Sequence, residues 1–178
     1  MKYIRHVLFA YATLALSSAA FQSAVAQSTS AKITVSASIP QTVAVTGGQD
    51  VSFGSILPGV TESIETTDSR SGRIKISGQP GSEIFFSFTL PTTLTSGSDT
   101  LTVAFDKTSA AVAESANLAS FVARGDPRTG FAARLGTGNN GIPGELYLAL
   151  GCTVAPRPDQ LSGVYSGEIH VTIVYTGN

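Results

Sequence analysis

The chain predicts an all-β protein, a two-sheet Greek-key sandwich of roughly eight to ten strands with room for one short helix. Three observations carry that expectation. Residues 168–175 alternate, with Ile169, Val171, Ile173 and Tyr175 on one side and Glu168, His170 and Thr172 on the other, the period of two of a strand. Only 13% of the 178 residues are charged and tryptophan is absent, while Ser, Thr and Gly abound; such side chains suit strands and tight turns and leave little for amphipathic helices. Gly and Pro punctuate the chain at short intervals, and no segment carries a long helical period.

The N-terminus has the three parts of a secretory signal. Lys2, Arg5 and His6 form a positive head, residues 7–16 an apolar run too short to span a bilayer, and Ala24-Val25-Ala26 a small-x-small cleavage site. Removal of residues 1–26 leaves residues 27–178 as one domain, with no retained membrane span expected. The same cut removes two of the 11 basic residues and leaves 9 against 12 acidic ones. Nothing basic clusters, which argues against nucleic acid or an anionic membrane surface as partner.

Taken in order, residues 31–39 alternate, with Ile33, Val35, Ala37 and Ile39 on one face of a leader strand whose apolar side needs a groove. Pro40 stops it, residues 42–46 resume, and Gly47-Gly48 is expected to turn the chain. Short strands follow at 51–54, 63–67 and 72–77. Residues 83–90 are the most aromatic run, carrying Phe85, Phe86 and Phe88. Residues 91–99 read as a Thr/Ser-rich loop, 101–105 as a strand, and the alanines of 110–119 as the one place for a helical turn. Residues 125–144 are glycine-rich and the weakest stretch for regular structure. A strand at 145–154 and a Pro-rich crossover lead to the last run. That last strand is apolar and β-branched enough to be expected at the centre of a sheet.

The chemistry-bearing residues are sparse. Cys152 is the only cysteine, so no disulfide closes within the chain, and its apolar neighbours mark it as a buried thiol. His170 is the only histidine after residue 26 and alternates outward from the strand. A Cys152/His170 pair, or Glu62 with Glu65 and Glu145 with Glu168, are the only arrangements a hydrolase could use. None has a supporting motif, so no enzyme, metal or cofactor is expected. Arg124-Gly125-Asp126 resembles an integrin-binding tripeptide, but Gly-Asp-Pro is itself a turn signal.

The leader strand, the run Val51-Ser52-Phe53-Gly54-Ser55-Ile56 ending in Pro58-Gly59, and the closing Gly163-x-Tyr165-x-Gly167-x-Ile169-x-Val171-Thr172-Ile173-x-Tyr175 together resemble chaperone-usher pilins and a bacterial family of secreted, pilin-like β-sandwich proteins of unknown function. The resemblance implies an incomplete immunoglobulin-like fold that lacks one strand, a periplasmic chaperone that first fills the gap, and self-assembly in which the leader of the next subunit replaces it. Ile33, Val35, Ala37 and Ile39 would be the inserted knobs. The chain departs from the family in having one cysteine in place of a bridge, and three residues after Tyr175. Alternation leaves two receivers open for the leader, its own sheet or a neighbour's. The expected product is a non-enzymatic exported structural protein of the periplasm, cell surface or fimbrium. The alternative is a secreted carbohydrate- or protein-binding module using loops at 92–100 or 125–144.

Overall fold

In the computed structural model the described residues are Thr34, Ser36, 42–138 and 141–176. Among them are twelve strands and no α-helix, so the all-β expectation holds with more strands than expected. The sheets are antiparallel throughout. One has the order β1 (Ala44–Gln49), β3 (Gly72–Gly78), β10 (Gly144–Leu150), β7 (Ala110–Ala113), β8 (Val122–Ala123). A second has β2 (Glu62–Ile64), β11 (Cys152–Ala155), β6 (Asp99–Ala104), β5 (Thr93–Ser96). The third has β12 (His170–Tyr175), β4 (Glu83–Thr89), β9 (Phe131–Arg134).

The first two sheets share one run of chain. Residues 144–155 pair with β3 and β7 up to Leu150 and with β2 and β6 from Cys152 on. Gly151 makes the switch: its N–H donates to the Ser109 carbonyl (2.9 Å), and a Cβ there would fall on the Ile64 carbonyl oxygen. Only glycine lets the β2 backbone approach so closely. The single strand expected at 145–154 is therefore two.

The third sheet packs face to face on the first. Ile84, Phe86 and Phe131 from the third sheet meet Ile76, Leu146 and Leu148 from the first, all buried. The Phe86, Phe88 and Phe131 rings lie 5.3–6.3 Å apart between centroids, the spacing of offset and tilted aromatic pairs. Full burial of a side chain of this size stabilises by about 1.5–3 kcal/mol. A second cluster joins Leu101, Val103, Phe105, Cys152 and Val154 under the second sheet.

Several local expectations are corrected. Gly47 does not turn the chain: it sits at φ 65° inside β1, where the register with β3 shifts between Thr46 and Gly48, so it is a bulge. Residues 51–54 form no strand, and of 63–67 only the β2 segment is extended. Residues 92–100 are not a loop but the β5–β6 hairpin, closed by Gly97-Ser98 with Gly97 at φ 61°. The alanines of 110–113 form strand β7, because their small side chains let Phe121 pack over Ala111, Ala113 and Ala149; tertiary burial overrides helix propensity. One 3-10 turn follows at Leu118–Ser120. The glycine-rich stretch 125–144 contains β9. Among the described residues β12 is an edge strand rather than a central one.

Candidate functional site

β12 pairs only with β4, from His170 opposite Thr89 to Tyr175 opposite Ile84. Its other edge has no strand partner among the described residues. The alternation is as expected: His170, Thr172 and Val174 are exposed, whereas Val171, Ile173 and Tyr175, with Ile169 just before the strand, turn to the core and are half-buried. Among the described residues no second strand covers them on that side. The far end of β12 is fixed by Tyr175, whose hydroxyl oxygen accepts from the Gln79 N–H (2.8 Å).

Beside the start of β12 runs an open groove with a cavity volume of about 1070 Å³. Residues 169–171 form one wall and residues 51–56, with Val51, Phe53 and Ile56 half-buried, form the other. The floor is core: Leu101, Val103, Leu150, Cys152 and Val154. An apolar trough between two sheets, bordered by a strand edge with no partner among the described residues, has the shape and chemistry to accept an extended segment.

The segment 156–169 closes one side of this groove and has no strand of its own, only a bridge of Ser166 to Thr95 with backbone bonds of 2.9 and 3.0 Å. A polar cluster holds it. Gln160 Nε2, with two N–H groups to give, faces three acceptors, the Asp99 carboxylate (2.9 Å), the Thr100 carbonyl (3.1 Å) and the Tyr165 hydroxyl (2.7 Å), and Arg157 Nη2 donates to Asp99 (3.1 Å). The Tyr165 hydroxyl faces two acceptors, the Asp99 carboxylate and the Leu161 carbonyl (2.8 Å). It has one proton to give, and the charged acceptor is the stronger. The Tyr165 bond, with the Thr100 amide and Arg157 behind it, holds the Asp99 carboxyl below the usual aspartate range, while Asp99 in turn raises the Tyr165 hydroxyl. Tyr165 stood out in the sequence only through its two flanking glycines, and its partners Asp99 and Gln160, 66 and 5 residues away, carried no signal at all.

The other candidates separate. Cys152 is buried in the groove floor, and burial pushes its thiol up to about 11. No hydrogen bond joins it to His170, which is exposed and faces Glu168 at 3.5 Å. Glu62 pairs with Arg70 and Glu145 with Lys75, each at 2.6 Å, so one carboxylate of each candidate pair is engaged by a cation. Asp126 of the Arg-Gly-Asp tripeptide turns onto Arg128, accepting from its backbone N–H (2.9 Å) and its guanidinium (2.6 Å). Among the described residues no group of three or more His, Cys, Asp or Glu could hold a metal ion, and no helix is long and apolar enough to cross a membrane. The leader residues Ile33, Val35, Ala37 and Ile39, and the expected signal peptide, lie outside the described residues. No family model matches the chain, and no curated protein matches it.

Proposed function

We propose that the chain is an exported, non-enzymatic structural subunit of the pilin-like type whose groove is completed by an added β-strand, the leader 31–39 of a second copy. The observation that carries this reading is the apolar groove beside the free edge of β12. An antiparallel partner would gain about six backbone hydrogen bonds from a six-residue edge, since alternate residues present both N–H and C=O outward. Each contributes a net of about 0.5–1.5 kcal/mol, and burying Ile33, Val35 and Ile39 adds about 1.5–3 kcal/mol apiece. A periplasmic chaperone would shield the same trough before assembly.

Chain direction favours a neighbour's leader. β1 starts at Ala44, opposite Ser77 and so at the same end of the sandwich as Tyr175, and it ends at Gln49 by the start of β12. The chain's own leader, folded back before β1, would run parallel to β12. A second copy's leader can run antiparallel, the stronger pairing, against an edge free of bulges.

The test uses the mature chain 27–178 and a synthetic peptide of residues 27–41. Excess peptide should cap every groove and convert oligomers to monomers in size-exclusion chromatography with light scattering. The same peptide with Val35→Asp should not. A chain that stays monomeric in both cases, with no change in melting temperature, sinks the reading.

A further inference from the structure

The two ends of the sandwich each expose large apolar side chains. At the groove end Leu57 is 72% exposed, Leu161 66% and Val164 88%. These come from two loops tied together, since the Gly59 N–H donates to the Arg157 carbonyl (3.0 Å), and Leu161 and Val164 also border the groove. At the opposite end Ile142, 59% exposed, precedes Gly144, which pairs with Gly78 next to the start of β1.

The strand-complementation reading, on which this inference rests, brings those two ends together. A leader antiparallel to β12 places Ile39 beside His170, at the groove end of the acceptor. Residues 40–43 then link it to β1 of the donor, and four residues reach at most about 14 Å. The donor body must therefore abut the acceptor's groove end, and the end it presents is the one where β1 starts, beside Ile142.

We propose that Leu57, Leu161 and Val164 form a seat for the Ile142 end of the next copy, a second contact in series with the inserted strand. The two patches differ, so the contact is heterologous and repeats along an open filament instead of closing a dimer. Both patches are apolar, and water is excluded from both once the linker holds them in register.

The experiment compares the mature chain with Leu57→Glu and Ile142→Glu, Leu57 being the residue of the seat that does not border the groove. Both sites are exposed, so folding is expected to be intact, with unchanged melting temperature for peptide-capped monomers. Capping by the 27–41 peptide should reach half-saturation at the wild-type concentration, because the groove is untouched. Assembly of the full chain should need about tenfold more protein in each variant, the scale of losing one apolar anchor. Leu57→Glu combined with Ile142→Lys should recover most of that loss. Wild-type assembly of both single variants overturns the proposal, as does a recovery no better than either variant alone. Loss of peptide capping in Leu57→Glu also overturns it, by making Leu57 part of the groove. Failure of the peptide to cap the wild-type chain is a different result, which removes the groove reading itself.

Discussion

Leu148→Ala and Leu146→Ala measure how far the groove opens into the core. Both leucines lie on β10 with their side chains buried, Leu148 at 0% and Leu146 at 3% exposure, but only Leu148 borders the groove. Removing the leucine side chain beyond Cβ loses a transfer term of about 2–2.5 kcal/mol at about 0.8 kcal/mol per methylene. An enclosed site adds a cavity term of comparable size, which carries Leu→Ala changes up to about 5 kcal/mol. Where the new space opens onto a groove, water and mobile side chains fill it and most of that second term disappears. The expected losses are therefore about 4–5 kcal/mol for Leu146→Ala and about 2–3 kcal/mol for Leu148→Ala. Urea denaturation followed by circular dichroism measures both, with an unchanged m value as the check that the denatured state is the same. Binding of the 27–41 peptide should close the groove and narrow the gap between the two variants. Equal losses without peptide would refute the reasoning, because Leu148 would then sit in a closed core.

Other expectations concern the groove walls. Tyr165→Phe removes the hydroxyl that meets Asp99, Gln160 and Leu161, so amide exchange in 161–169 should accelerate while exchange in β3 and β10 stays at wild-type rates. Acid should produce the same release: the Asp99 carboxyl is lowered in the folded protein, so its contribution is present above the unfolded value of 3.8 and is lost as pH falls below it. Exchange in 161–169 should be flat from pH 7 to 5 after correction for intrinsic rates and rise below pH 3.8. Cys152 should resist a thiol reagent at pH 8, because burial holds it protonated up to about 11. That stabilisation is present below the ordinary thiol value of 9.0 and lost as pH rises through 11, and labelling as fast as in urea would contradict the burial. Gly151→Ala should yield insoluble or strongly destabilised protein, since the added methyl falls on the Ile64 carbonyl; a wild-type melting temperature would show that the strand switch tolerates a side chain.

Period-two alternation and sparse charge were enough to read the class of fold, because they are local properties of each strand. The same signals failed where pairing decides. The run 170–175 has the composition of a central strand, yet its position at an edge depends on what lies beside it, which no residue within it encodes. The alanines of β7 carry a helix signal of their own, whereas their role is to admit Phe121 from outside the strand, and the β5–β6 hairpin is hidden because threonine and serine suit loops and strands alike. Tyr165 could be singled out by its flanking glycines, but its bonding to Asp99 is a contact across 66 residues and appears only in three dimensions.

Amide hydrogen exchange of the mature chain, read at the six residues of β12 with and without the 27–41 peptide, decides whether the β12 edge receives a strand. If the groove accepts a strand, the alternate amides that do not bond to β4 exchange fast in isolated monomers and become protected when the peptide binds. If those amides are already protected in the monomer, or stay fast at saturating peptide, the groove is not a strand acceptor and the account fails.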